Sequence, residues 1–326
     1  MSIHQPVFLN EVIEYLNPQP NQNFIDCTIG GGGHSLAILE KTSPQGKILG
    51  IDLSKEAIEE LKAKSVSLWE MSRRDKNLKV KNRLILVNDN FVNLKEIVGK
   101  NNFPPVHGIL LDLGLSSDLL EQSGRGFSFR RDEVLDMRFN PKGNSLTAEE
   151  IINHYPEDNL VKIFKEFGEE KFSKRIAAAI VNARRNQRIR TTNELADLIL
   201  QVLSHKKSQK IRNLYIRNLY IRNKFVIRSH LVKSLARIFQ ALRIAVNDEL
   251  GNLQEVLEQS IDVLSPQGRL VAISYHSLED RIVKKFFRKE NRLKIITEKP
   301  IRPSEREIKI NHRSRSAKMR MAQKKF

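Results

Sequence analysis

The sequence predicts an α/β protein: a doubly wound parallel sheet of Rossmann-like type interrupted by an all-helical insertion. Three observations carry this. Short apolar runs alternate with helix-like stretches through the first third, the alternation stops for about 110 residues, and it resumes toward the C-terminus.

Taken in order, "NFIDCTI" (23–29) reads as a buried strand, four glycines follow, and "HSLAILEK" (34–41) opens a helix. "GKILGIDLS" (46–54) is a second strand, followed by a helix from Lys55 to about Met71. "RLILVNDN" (83–90) is a third, then a short helix near Leu94–Val98, and "HGILLDLG" (107–114) is a fourth. Right-handed crossovers place the carboxyl ends of these strands on one edge, where such sheets bind ligands. From Ser117 to Arg228 only helical stretches are visible, at Leu160–Glu166, Phe172–Arg185 and Asn193–Leu203. Helices at Ala236–Leu250 and Leu253–Leu264 then lead into "GRLVAISYHS" (268–277), a fifth strand.

The expected domains are therefore 1–116 with 229–326, and an inserted helical substrate domain at 117–228. Within the insertion, "IRNLYIRNLYIRN" (211–223) repeats every five residues. That period suits neither helix nor strand, so it reads as a loosely ordered basic expansion. The last stretch, 299–326, reads as an extended basic tail.

Charge narrows the partner. Residues 171–240 carry net +15 and 281–326 net +13 in a chain of +18, so the rest carries −10. Two basic blocks on an acidic body point to a polyanion such as RNA. Neither block has the apolar face that membrane insertion requires. Cys27 is the single cysteine, which excludes an internal disulfide framework and thiolate zinc sites. No metal site is expected. No signal peptide and no membrane span are visible, so a soluble, cytoplasmic protein is expected.

The glycine loop "GGGGHS" (30–35) asks for a ligand. No Lys follows it, which removes a phosphate loop, and no register completes Gly-x-Gly-x-x-Gly, which weakens a nicotinamide oxidoreductase. Asp52 nevertheless ends the next strand about 20 residues on, where a carboxylate accepts ribose hydroxyls. Asp89, after the third strand, is placed to accept from an adenine amino group. S-adenosylmethionine offers ribose and adenine without a pyrophosphate, and its sulfonium suits Asp26 and Asp112 at strand ends. His276 and Glu279, in "ISYHSLEDR", are candidates for handling a proton or a base. Arg125, Phe127 and Phe129, with Arg130 and Arg131 beside them, could stack on unpaired bases, or could be a core phenylalanine pair among solvated arginines.

Seven motifs occur in order: "HQPVFLNEV", "DCTIGGGGHS", "DLGLSSDLLEQSGRGFSFRRDEVLDMRF", "FGEEKFSKRIAAAI", "FQALRIAVNDEL", "ISYHSLEDRIVKKFF" and "RSRSAKMR". Together they resemble the MraW family of small-subunit ribosomal RNA methyltransferases over nearly the whole chain. The resemblance implies a class I methyltransferase fold, S-adenosylmethionine as donor, and methylation of a cytidine N4 in the decoding centre of 16S rRNA. It implies donor contacts at Gly32, Gly33, His34, Asp52, Phe91 and Asp112, with Gly30 and Gly31 shaping the turn. Asp112, Ser116, Ser117 and His276 are the catalytic candidates. Arg125, Phe127, Phe129, Arg243, His276 and Glu279 are the substrate-binding candidates. Two positions depart from the family's habit: Leu119 stands where a glutamine is frequent, and residues 233–237 read KSLAR in place of His-Pro-Ala-Thr-Arg. A catalytically impaired RNA-binding assembly factor on the same fold is the alternative. Partners are 16S rRNA and the small subunit, in a bacterial-type cytoplasm or an organelle with bacterial-type ribosomes. Monomer and homodimer are both compatible with the sequence.

Overall fold

A computed structural model describes residues 6–72, 82–115, 119–120, 123–204 and 229–326, with backbone only at 65–72 and 229–230. Ser116, Ser117 and the repeat at 211–223 lie outside the described residues. The chain divides into two compact units, Met1–Gly114 with Leu250–Phe326, and Leu115–Glu249.

The first unit is a seven-stranded sheet. Its strands are β1 (Asn23–Asp26), β2 (Ile48–Asp52), β3 (Leu84–Asn88), β4 (Val106–Asp112), β5 (Leu264–Ser274), β6 (Leu293–Ile295) and β7 (Lys318–Lys324). They lie in the order β3-β2-β1-β4-β5-β7-β6. β1 to β5 pair in parallel, and β7 runs antiparallel to both β5 and β6.

The apolar runs follow from burial on both faces. Ile25, Leu49, Ile51, Ile109, Leu111, Leu270 and Ala272 point into one core, and their neighbours Phe24, Ile48, Leu110, Val271 and Ile273 into another. The first core also takes residues of α4 (Leu94–Lys100), α10 (Glu249–Val263) and α11 (Ser277–Lys289). The second takes residues of α1 (Leu9–Leu16) and α2 (Gly33–Lys41). α3 (Lys55–Ser72) sets Ile58 and Leu61 against Ile29.

The C-terminal stretch is not an extended tail. It forms a short helix, α12 (Glu305–Ile310), and then β7, which enters the sheet between β5 and β6. The alternation Met319-Arg320-Met321-Ala322 explains it: Met319 and Met321 join one core and Ala322 the other. Arg320 is buried with its charge answered, since its Nε donates to Asp280 Oδ1 at 2.6 Å and Lys318 Nζ donates to Asp280 Oδ2 at 3.1 Å.

The second unit is built around helices α5 (Ala148–His154), α6 (Glu157–Glu166), α7 (Ser173–Arg184), α8 (Thr192–Ser204) and α9 (Ser229–Asn247). The return boundary, expected at 228/229, falls instead at 249/250. The reason is α9, which commits Leu235, Ile238, Phe239, Ala241, Leu242 and Val246 to the helical core.

Candidate active site

The glycine loop leaves β1 and enters α2. Gly32, the residue before the helix, has φ +78°, a left-handed conformation that favours glycine. A Cβ there would meet Leu61 Cδ1 at 2.7 Å, and one on Gly33 would meet Pro6 Cγ at 2.7 Å. Beside Gly31 there is open space. Packing thus accounts for the missing side chains, and the expected donor contact at Gly32 and Gly33 falls to backbone, with Gly33 opening the first turn of α2. The open face of the loop is at Gly31. No side chain caps α2, so the backbone N–H groups of its first turn are available to an anionic group.

Asp52 ends β2. Its Oδ2 accepts from Gly30 N–H at 2.8 Å and its Oδ1 from Ser54 N–H at 2.8 Å. Each oxygen keeps a lone pair for a further donor. Burial pushes its carboxyl up, only partly offset by the two backbone N–H groups. Asp89 follows β3 and accepts from Asn90 N–H and Asn93 Nδ2 through Oδ1 at 2.7 and 2.9 Å. Phe91 begins the short 3₁₀ turn after it, half-buried against the sheet core.

Asp112 ends β4 at the same edge. Its backbone N–H donates to Thr28 Oγ1 at 2.8 Å, and its Oδ1 accepts weakly from Gly114 N–H at 3.3 Å. Burial raises the Asp112 carboxyl, while His34, the Tyr275 hydroxyl and Gly114 N–H pull the other way. The Tyr275 ring lies on the backbone of Gly114: a Cβ there would meet ring carbons at 2.7 and 2.9 Å. Burial, and then Asp112 itself, push the Tyr275 phenol well above its ordinary value, so it remains a donor.

His34 is 6% exposed. Its Nε2 lies 2.9 Å from the Val7 carbonyl, so that nitrogen carries the proton, and its Nδ1 lies 4.0 Å from Asp112 Oδ2. Its ring is thus tied to the N-terminal segment, with Nδ1 turned toward Asp112 beyond hydrogen-bond distance, and its backbone N–H lies in the first turn of α2. Asp26, expected to face the sulfonium, is 2% exposed; its Oδ2 accepts from Ser35 Oγ at 2.7 Å and its Oδ1 from Thr28 N–H at 3.1 Å. It ties the loop from inside.

His276 and Glu279 form a reciprocal cap on α11. The Glu279 carboxylate accepts from Tyr275 N–H at 2.7 Å and His276 N–H at 3.2 Å, and the His276 ring caps Glu279 N–H. Both residues thus build the turn after β5, and the cap uses only Nδ1 of the His276 ring, whose buried Nε2 lies 3.1 Å from Glu279 Oε1 and makes no hydrogen bond.

In the helical unit the aromatic-arginine cluster is core. Phe127 stacks on Phe139 with centroids 5.6 Å apart, and Phe129 meets Phe239 edge-on at 5.4 Å. Arg125 lies over the Phe127 ring and donates to the carbonyls of Arg138 and Phe139. Arg243 is held by Glu249 in two 2.7 Å hydrogen bonds. None of these four presents the free ring or guanidinium that base stacking needs. Leu119 packs against the same core. The residues missed in sequence were Tyr275 and the Pro6–Phe8 segment; both sit in quoted motifs, but only packing reveals their work.

The fold and this edge define a class I S-adenosylmethionine-dependent methyltransferase: the seven-strand order with one reversed strand, a glycine loop after β1, and an acid ending β2. The chain belongs to the MraW methylase family, whose profile matches residues 1–325. A relative named ribosomal RNA small subunit methyltransferase H, from Heliobacterium mobile, is 44% identical and covers 98% of each chain. The proteins of that name from Carboxydothermus hydrogenoformans and Clostridioides difficile are 38% and 39% identical over 98% of this chain, covering 97% and 98% of their own.

The residues fit the donor. Asp52 has acceptor capacity for a ribose, Gly31 faces open space, and the desolvated carboxyl of Asp112 would be relieved by a neighbouring cation. This sets a pH dependence. A donor ribose held by Asp52 would be held best by its ionised form, and burial raises that carboxyl above the ordinary 3.8. Affinity should be full above that raised value and fall as pH drops through it, earlier than for an exposed aspartate. Calorimetric titrations between neutral pH and pH 5 check this, and Asp52→Asn should flatten the profile.

Tyr275→Phe gives a second test. Removing the hydroxyl should raise the Asp112 carboxyl further, move the acid limb of the pH–rate profile upward, and slow turnover about tenfold, as expected for a hydrogen bond to a charged group. An unchanged profile would separate Tyr275 from Asp112.

Proposed function

We propose that the chain transfers a methyl group from S-adenosylmethionine to the exocyclic N4 of a cytidine in the decoding centre of small-subunit ribosomal RNA. The observation that carries this reading is Asp112, which ends β4 bonded to Thr28 just before the glycine loop, in a chain of the MraW methylase family. The names of the relatives support the RNA substrate.

S-adenosylmethionine supplies an electrophilic methyl group on a sulfonium. Asp52 and the Gly30–Gly31 backbone would hold its adenosine, and the first turn of α2 its carboxylate. Cytosine N4 is a weak nucleophile because its lone pair is delocalised into the ring. Asp112 would accept a hydrogen bond from the N4 amino group, favour its pyramidal form and take the proton released on transfer. A carboxyl raised by burial is a better proton acceptor than an exposed one, and Tyr275 and Gly114 orient it. The target base leaves its stack to react, which costs roughly a few kcal/mol unless the strand is already open.

One observation favours the non-catalytic assembly factor instead: Leu119 is drawn into the helical core and cannot hydrogen-bond a donor through its side chain. The first experiment is calorimetry with S-adenosylmethionine, with a nicotinamide dinucleotide as control. Stoichiometric binding of the first alone is expected, and no heat with it would overturn the reading. Among the described residues no helix is long and apolar enough to cross a membrane. A cytoplasmic location, with the small ribosomal subunit, follows from the proposed substrate.

A further inference from the structure

Helix α11 sorts its charges. Its two acids face inward: Glu279 closes the N-terminal cap, and Asp280 is taken by Lys318 and Arg320. Its apolar residues Leu278, Val283 and Phe287 are buried. Its five cations, Arg281, Lys284, Lys285, Arg288 and Lys289, are all exposed, at spacings i, i+3, i+4, i+7 and i+8. That is one continuous face of a helix.

Solubility alone does not account for this face. Cations near a helix C-terminus complement its dipole, which covers Arg288 and Lys289 but not Lys284 and Lys285. On other helices of this unit some exposed lysines are paired one turn away, as in Lys55–Glu59, Lys64–Glu60 and Lys100–Glu96. On α11 the charged one-turn neighbours of the outward cations are cations, a repulsive arrangement, except Asp280 before Lys284, which Lys318 and Arg320 take. Among the described residues, Lys284, Lys285, Arg288 and Lys289 have no acidic partner.

We infer that this face is a docking ridge for the phosphate backbone of the RNA, on the flank of the target nucleotide. The inference rests on the RNA reading proposed above. Position supports it: α11 begins at the turn after β5, and Ile273 of β5 pairs in register with Asp112. The ridge therefore starts at the catalytic edge and leads away from it. From Arg281 to Lys289 it runs about 12 Å at 1.5 Å per residue, matching roughly three to four nucleotides of a duplex strand at 3.4 Å each. A membrane surface is a poorer fit, because the apolar face of the helix is spent on the core.

The test compares wild type with the fourfold variant K284Q/K285Q/R288Q/K289Q, which circular dichroism should show folded. Filter binding to transcribed small-subunit ribosomal RNA across 50 to 300 mM KCl is the readout. The variant should bind about tenfold or more weakly at 100 mM, and its log–log salt slope should be shallower by about 3, at ~0.7–0.9 per phosphate released. Calorimetric binding of S-adenosylmethionine should be unchanged. A folded variant with unaltered RNA affinity and slope overturns the ridge. So does wild-type binding to phosphatidylserine vesicles that depends on these four residues while RNA binding does not. Loss of donor binding in the wild type would sink the methyltransferase reading and leave the RNA measurement intact.

Discussion

Asp112→Asn should slow methyl transfer at least about 100-fold while the protein stays folded. The magnitude is that of a positioned proton acceptor, typically 10²–10⁴-fold. Asparagine keeps the size and one acceptor oxygen, so packing under Tyr275 survives, but it cannot take the proton from N4. Stability should hold or rise slightly at neutral pH. The Asp112 carboxyl is raised by burial, so its ionised form disfavours the fold. That penalty is absent when the group is protonated at low pH and sets in as pH rises through the raised value. Donor affinity should weaken modestly, because the sulfonium loses a nearby negative charge. Single-turnover rates and donor titrations on the same preparation separate the two effects. A transfer rate within threefold of wild type would remove Asp112 from the chemistry.

Arg320→Met should destabilise the sheet unit by about 3 kcal/mol. Methionine suits the apolar neighbourhood of β7, so the loss is not one of packing. It comes from leaving Asp280 buried with a weakened partner set, and breaking a buried pair from one side typically costs about 3–5 kcal/mol. Lys318 remains at 3.1 Å, which places the effect at the low end. Burial alone would raise Asp280, but hydrogen bonds from Arg320 and Lys318 win and hold it below the usual carboxylate range. The pair therefore stabilises the fold above the ordinary aspartate pKa, and that contribution is lost as pH falls through the depressed value. Urea unfolding at pH 7, and again well below the ordinary aspartate value of 3.8, reads both. The double variant with Asp280→Asn should recover part of the loss, because no charge is then stranded. A single variant within 1 kcal/mol of wild type would show the pair to be dispensable.

The sheet could be read from sequence because its strands are buried on both faces and so appear as short uninterrupted apolar runs. β7 could not, because its burial is written in Met319, Met321 and Ala322 between basic residues, and the cation that looked solvated, Arg320, has its partner forty residues away in Asp280. Composition registers charge and is blind to pairing. The same blindness misplaced Arg125 and Arg243, whose guanidiniums are occupied by carbonyls and by Glu249. The capping duty of His276 was not legible either, because it depends on where the next helix starts. Asp52 and Asp112 were legible because strand-end acids need only the strand boundaries to be placed. The loop's division of labour was not, since Leu61 and Pro6 approach the glycines from distant sequence.

The most direct test incubates the protein with S-adenosylmethionine carrying a tritiated methyl group and small ribosomal subunits from cells lacking the corresponding activity. The RNA is then digested to nucleosides and separated. The account predicts label in N4-methylcytidine from a single decoding-centre position, abolished in Asp112→Asn. Unlabelled RNA, or label in any other nucleoside, would contradict it.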